Sequence, residues 1–276
     1  MDTVRTDTWW LEPAIVLVVF LSFIVYSMWA GLQGQYYWGG IAAGAGDYLC
    51  PLYSPLIYIK EGVLGGAPME HAWLGSWPDW LPAWVPASPA IFIVPFPALF
   101  RFTCYYYRGA YYKAFAGLPP GCAVGAAGSI EVGAPKKYRG ETFLLVFQNL
   151  HRYALYFAIA FVFILAYDGY LSWWQTDASG VKHFGFGVGT LLLTINPIFI
   201  GMYTFGCHSW RHLIGGRKDC FSCAGNGFTN GVYKKSSWLN ANHKLFAWCS
   251  LLWVAGTDVY VRLVSMGVIT DINTWN

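Results

Sequence analysis

Charge is what this sequence has least of: Asp, Glu, Lys and Arg together make up 11% of its 276 residues. A chain with so few charges has no basic surface for nucleic acid, and its formal charge of +3 matters less than where the cations lie. No internal repeat or heptad array stands out, which removes solenoids and coiled coils. The N-terminal MDTVRTDTWWLE carries acidic residues and two Trp, and no small-residue cleavage site follows Ala14 to Leu32; that segment is expected to be a retained helix, not a signal peptide.

What fills the chain instead is apolar: 56% of residues are hydrophobic and 19% aromatic, far from the composition of a soluble domain. An all-α integral membrane protein is the expected fold class, a single domain over residues 1–276. Runs long enough to cross a ~30 Å hydrocarbon layer fall at about 14–32, 153–173, 187–206 and 245–263. A fifth, 88–108, contains three prolines and Arg101; a kinked helix is expected there, since neighbours can re-satisfy carbonyls freed by proline. The bundle would then have five transmembrane helices.

Cations orient it. Arg108, Lys113, Lys136, Lys137 and Arg139 lie in one loop, and Arg211, Arg217, Lys218, Lys234, Lys235 and Lys244 in another. The opposite loops offer only Lys60 and Lys182. The positive-inside rule puts both rich loops and the N-terminus in the cytoplasm and makes the chain multi-pass in a plasma membrane. The segment from Gly34 to Pro86, rich in Gly, Pro and Trp, is expected to be a long external loop lying at the membrane interface, where Trp is favoured.

On that map, metal-ligand residue types collect on one face. Cys104 ends the second helix, His151 begins the third, Cys207, His208 and His212 end the fourth, and His243 begins the fifth. His208 and His212, four apart, lie within about 40° on one helix face, with Cys207 about 100° from His208. Each alone could cap a helix or act as a small apolar residue; together they form a candidate centre. Facing imidazoles, His151 with His243 or His208, could hold a haem b. Two thiols and two imidazoles from the same ring could instead hold a Rieske-like [2Fe-2S] centre, although the paired Cys-x-His and Cys-x-x-His boxes of soluble Rieske proteins are absent. No His pair exists on the helices at the outer face, so two haems are not expected.

Other candidates are less sharply placed. Tyr106, Tyr153, Trp210, Arg211 and Trp248 near the inner ring could wall a quinone site or belong to the interfacial belt. Asp258 and Arg262, four apart in the fifth helix, are expected to pair; an outer quinone pocket or a proton path is the alternative. Cys220 and Cys223 have the spacing of half a zinc or iron–sulfur ligand set, and a reducing cytoplasm argues against a disulfide between them. Asn196-Pro197 would suit a transporter or channel with a broken fourth helix, the alternative function.

The blocks RFTCYYYRGAYYKAF, QNLHRYALYF, CHSWRHLIGGRKD and LNANHKLFAWCSLLWVAGTDVYVRLVSMG resemble the cytochrome b-type membrane anchor of actinobacterial succinate dehydrogenases. The resemblance runs from about Gly46 to Gly267. It implies a five-helix anchor bound on the cytoplasmic side to an iron–sulfur subunit, itself attached to a flavoprotein that oxidises succinate. Electrons would pass through the anchor to a membrane quinone, menaquinone or ubiquinone, with menaquinone favoured.

Overall fold

The structure is a computed structural model, and it describes residues 8, 10–107, 110, 114, 142–216, 219, 220, 223 and 227–275, apart from the side chains of 142–145, 147 and 148. Seven of the basic residues used for orientation, Arg108, Lys113, Lys136, Lys137, Arg139, Arg217 and Lys218, lie outside the described residues. The helices are α1 (Leu11–Gln33), α2 (Pro95–Thr103), α3 (Thr142–Leu171), α4 (Val188–Phe205), α5 (His208–Gly215), α6 (Gly227–Ala241) and α7 (His243–Ser265). A two-stranded antiparallel hairpin, β1 (Trp174–Thr176) and β2 (Lys182–Phe184), joins α3 to α4 with Gln175 opposite His183.

Among the described residues, Leu11–Gln33, Asn149–Leu171 and Val188–Phe205 are long and apolar enough to cross a membrane. Three of the expected runs coincide closely with helices, α1, α4 and α7, although α7 is not among those three membrane-length apolar helices. The span expected at 153–173 belongs to a helix that begins earlier, at Thr142; polar Gln148, Asn149, His151 and Arg152 separate its apolar first turns from the expected span.

The kinked helix expected over 88–108 is corrected. A 3-10 turn, Pro89–Phe92, leads into α2, which has only nine residues and stops where Cys104 turns extended at φ −61°, ψ 131°. Pro89 and Pro95 each occupy the start of a helical piece, where a missing N–H costs nothing, so proline divides this stretch instead of bending it. Nine residues rise about 14 Å, roughly half of a hydrocarbon layer.

The external loop expected at the membrane interface between the first two helices is a packed cap. Tyr37, Tyr48, Tyr53, Leu56 and Ile59 are buried in one cluster with Leu193 of α4 and Val261 and Val264 of α7. Bridges Trp38 to Leu49 and Ile59 to Ser76 pin it internally. Gly34, at φ 65°, turns the chain out of α1 into this cap; a Cβ there would meet the Ala87 carbonyl oxygen at 2.7 Å, which only glycine avoids. Trp73, Trp80 and Trp84 remain exposed on its surface, as interfacial indoles do.

The bundle itself is α3 against α2 and α4, with α7 on the far side of α4. At its cap end, Asp271 is 3% exposed and accepts from Tyr48 Oη at 2.8 Å, Tyr260 Oη at 2.7 Å, the Gly189 amide at 3.2 Å and Asn273 Nδ2 at 3.2 Å. One carboxylate therefore joins the cap, the start of α4, the end of α7 and the C-terminal tail. Removing it by Asp271→Ala leaves buried donors unpaired and should cost about 2–4 kcal/mol, seen as a lowered melting temperature of the detergent-purified protein; Asp271→Asn, which keeps one acceptor, should lose less, and equal melting of all three would contradict the latch.

Candidate functional site

At the end of the bundle away from the cap, helix termini converge because each helix stops there for a local reason. α2 ends at the extended Cys104, and α4 ends at Phe205, where Gly206 leaves no room for a side chain: a Cβ would meet the Met202 carbonyl oxygen at 2.8 Å. Cys207 then serves as the N-cap of α5, its sulfur accepting from the Ser209 amide at 3.4 Å. His243 opens α7, and His151 lies on α3.

These termini enclose a cavity of about 630 Å³ lined by Cys104, His151, Cys207, His208, His212 and His243, with Thr103, Tyr106 and Asn240 among its other walls. All six of the metal-ligand residues expected from the sequence therefore face one space. They do so in three pairs. His151 Nε2 lies 2.9 Å from Cys207 Sγ, His243 Nε2 lies 3.6 Å from Cys104 Sγ, and His208 and His212 face each other at 3.0 Å between their Nε2 atoms. The first two pairs are buried or half-buried and the third is exposed.

The tautomer of His151 follows from its neighbour. Thr103 Oγ1 donates to the Leu99 carbonyl at 2.7 Å, so it can only accept at its 2.9 Å contact with His151 Nδ1. That places the ring proton on Nδ1 and leaves Nε2 as a bare acceptor toward Cys207. Phe100 stacks on the imidazole at 4.6 Å and 8°, and Tyr203 stacks on His243 at 4.9 Å and 19°, so both rings are held in plane. Burial, and then the neighbouring Cys104, push the Cys207 thiol up to about 12; without metal it is a protonated thiol. Burial, followed by His212 and the Arg211 and Arg152 cations, holds His208 below the ordinary imidazole value.

A single-ion site is not what these residues make: among the described residues no three His, Cys, Asp or Glu side chains are placed to hold one metal ion. The donor set is two thiols and two imidazoles, each nitrogen engaged with a sulfur. Metal binding here would exchange those hydrogen bonds for metal bonds and release the thiol protons.

Of the residues expected near a quinone, Tyr106 lines the cavity and accepts from Trp248 Nε1 at 2.6 Å. Trp210 and Arg211 do not line it. They brace α5 against α6 through Ser236 at 2.9 Å, Asn240 at 3.0 Å and Tyr233 at 2.9 Å. Tyr153 points away and is exposed. Asp258 and Arg262 do pair, at 3.5 Å, near the cap. Asp258 also accepts from Tyr26 Oη at 2.6 Å, and Arg262 donates to Gln33 at 2.7 Å and to the Gln35 carbonyl at 2.8 Å. This buried pair fastens α1 and the cap to α7. Cys220 and Cys223 form a disulfide, against the expectation of free thiols or a metal half-site: the two-residue spacing that brings two sulfurs to one ion also brings them to each other.

Arg101 has no firm role on sequence grounds. In the fold its guanidinium donates to Tyr107 Oη at 2.6 Å, Ser250 Oγ at 3.0 Å and the Ala247 carbonyl at 3.3 Å, and lies 4.9 Å from the Tyr203 ring centre. No carboxylate among the described residues is within ion-pair distance of it. A lone Arg inside an apolar run was the available signal.

The family model described as actinobacterial succinate dehydrogenase subunit SdhC matches residues 11–267. The chain belongs to that family. It is thus a subunit of an oxidoreductase, and a multi-pass protein of the bacterial plasma membrane. A solved chain described as "Mycobacterium smegmatis Sdh1 complex in the apo form" is similar to this anchor at 36% identity and a TM-score of 0.77, over 98% of this chain and 92% of that one. No curated protein matches.

The Thr103 contact gives this anchor a testable local prediction. Thr103→Val removes the oxygen that lies 2.9 Å from His151 Nδ1, a cost of about 1–3 kcal/mol, whereas Thr103→Ser keeps it. Thermal melts should rank wild type and Thr103→Ser together above Thr103→Val; a Thr103→Val protein as stable as wild type would rule out the assigned tautomer.

Proposed function

We propose that this chain is the membrane anchor and electron relay of a succinate:quinone oxidoreductase, with a cytoplasmic N-terminus and five membrane crossings, the second made by the broken stretch 88–108 and not by one helix. Its cytoplasmic end binds the iron–sulfur subunit, which carries the flavoprotein; neither succinate nor flavin is handled by the anchor itself. The whole chain, residues 1–276, acts as one anchor domain. The observation that carries this reading is the cavity at the cation-rich end of the bundle, where two thiol–imidazole pairs meet.

That donor set fits a Rieske-like [2Fe-2S] centre, with Cys104 and Cys207 as thiolates and His151 and His243 as imidazoles. When bound, such a centre passes one electron at a time at a potential raised by its neutral ligands. The chain's own residues do the rest. α2, α3, α5 and α7 fix the four donors, Thr103 holds His151 in the tautomer that presents Nε2, and stacked Phe100 and Tyr203 exclude water from the rings. A haem b in the same space would need imidazoles facing one another across it. Here each ligand-grade imidazole faces a sulfur, and the two that do face each other, His208 and His212, are exposed. The iron–sulfur reading is therefore preferred, and His208 and His212 are assigned to the surface toward the partner.

Succinate oxidation on the partner subunits yields fumarate, two electrons and two protons. Quinone reduction at the anchor consumes two electrons and two protons to give the quinol, for which menaquinone is the expected membrane substrate and ubiquinone the alternative. The transporter reading lacks its required feature, since α4 runs unbroken through Pro197 where a discontinuous helix is needed. Asp258 and Arg262 are assigned to fastening α1 rather than to an outer quinone or proton path, because they pair with each other and bind Tyr26, Gln33 and the Gln35 carbonyl.

Replacement of His151 or His243 by Ala in the whole complex should cut succinate–quinone reductase activity by at least ~100-fold, the scale seen when a relay's ligands are disturbed. A low-g paramagnetic signal of the reduced complex should vanish with it, while succinate oxidation by a soluble dye at the partner subunits persists. His208→Ala and His212→Ala should stay within about threefold of wild type. Retention of the low-g signal in both His151→Ala and His243→Ala would refute the ligand assignment.

A further inference from the structure

Arg101 lies one turn before Cys104, whose amide donates to the Arg101 carbonyl at 3.2 Å, and its side chain ends among neutral groups. The guanidinium donates to Tyr107 Oη, Ser250 Oγ and the Ala247 carbonyl. Tyr107 and Ser250 give their own protons to that same carbonyl, at 2.6 and 3.1 Å, so both oxygens are fixed as acceptors toward the arginine. Neutral acceptors hold a guanidinium in place without cancelling its charge. The walls around them, Phe20, Phe23 and Leu251 among others, are apolar, and in such a setting a charge acts further than it does in water.

Tyr203 stands between that cation and one of the thiol–imidazole pairs. The guanidinium carbon lies 4.9 Å from the Tyr203 ring centre, and the His243 imidazole stacks on the same ring at 4.9 Å and 19°. The Tyr203 hydroxyl lies against Cys104, the partner of His243 at 3.6 Å. One phenol therefore touches both donors of the pair and the cation beside them. Of the charged groups among the described residues, Arg101 is the one whose field reaches His243. The other cations of this end act elsewhere: Arg211 and Arg152 at the exposed His208, and Lys244 in its ion pair with Glu12.

We infer that Arg101 and Tyr203 set the reduction potential of the proposed centre, the fixed cation and the hydroxyl on Cys104 both favouring its reduced form. The inference rests on the electron-relay reading above and names which residues of this chain tune that relay. One electron enters from the partner iron–sulfur subunit and leaves to the quinone, with no bond made or broken at either residue. The added electron is one more negative charge, which a nearby cation stabilises: a unit charge ~10 Å away at an effective dielectric of ~20 shifts a one-electron equilibrium by roughly tenfold. Hydrogen bonds to ligand sulfurs also help set such potentials, and here the donor withdraws charge from the thiolate. The pair thus makes the relay a better acceptor. An arginine that merely fastened α2 to α7 would leave the potential alone.

The test is a redox titration of the low-g paramagnetic signal in the intact complex. Arg101→Met removes the charge at similar volume, and the reduced-to-oxidised ratio at a fixed potential should fall at least tenfold, a midpoint lowered by about 59 mV for one electron. Arg101→Lys keeps a cation and should stay within threefold of wild type. Tyr203→Phe keeps the ring on His243 and loses only the hydroxyl; its ratio should fall at least threefold with iron and sulfide content unchanged, and it carries the test if Arg101→Met does not assemble. An unchanged midpoint in Tyr203→Phe together with an unchanged or unassembled Arg101→Met would overturn the assignment. So would a fall in Arg101→Lys as large as in Arg101→Met, or an Arg101→Met complex whose quinone KM rises while its midpoint stays put. Failure of the relay reading would look different, because the wild-type complex would then give no low-g signal to titrate.

Discussion

The contact between His151 Nε2 and Cys207 Sγ, 2.9 Å long and buried, depends on nearly every irregularity in this fold. It requires α4 to stop at Phe205, so that Cys207 turns back as an N-cap toward α3 and is not carried onward along a helix. It requires α2 to end early enough for Thr103 to sit beside the imidazole and for Cys104 to face His243. Local features that look like defects, a nine-residue helix, a glycine break and a thiol used as a cap, are the means by which separate helices bring their donors to one cavity. In a bilayer, where backbone groups must be satisfied within the protein, such breaks are tolerated because they line a cavity or a packed interior.

The two ends of the bundle solve opposite problems. At the cap end, buried polar groups are closed off against one another: Asp271 takes four donors, and Asp258 and Arg262 neutralise each other while tying in Tyr26 and Gln33. Removing one member of such a pair leaves an uncompensated buried charge, so this end is built to stay shut. At the other end thiols face imidazoles, and the acceptors that Arg101 meets among the described residues are neutral.

Much of this was legible from the residues. The apolar runs at 14–32, 187–206 and 245–263 mark α1, α4 and α7 to within a few residues, because a membrane helix needs length and apolarity and little else. The one-sided collection of Cys104, His151, Cys207 and His243 followed from placing helix ends on that map. The cap did not show, since its core of Tyr37, Tyr48 and Tyr53 sits among Gly, Pro and Trp without strand or helix periodicity. Nor could spacing decide among His151, His208, His212 and His243. Angles counted around one helix presume that 207–212 continues α4, while the chain breaks at Gly206 and α5 starts afresh with His208 and His212 at the exposed rim of the cavity. The roles of Arg101 and Tyr203 are set by long-range packing, which no local pattern records.

The central claim is a metal centre inside the anchor, and composition of the purified complex tests it most directly. Iron and acid-labile sulfide should exceed the complement of the partner iron–sulfur subunit by two atoms each per anchor, with no pyridine-extractable haem. Iron and sulfide that match the partner subunit alone, or one haem b per anchor in place of the excess, would contradict the account.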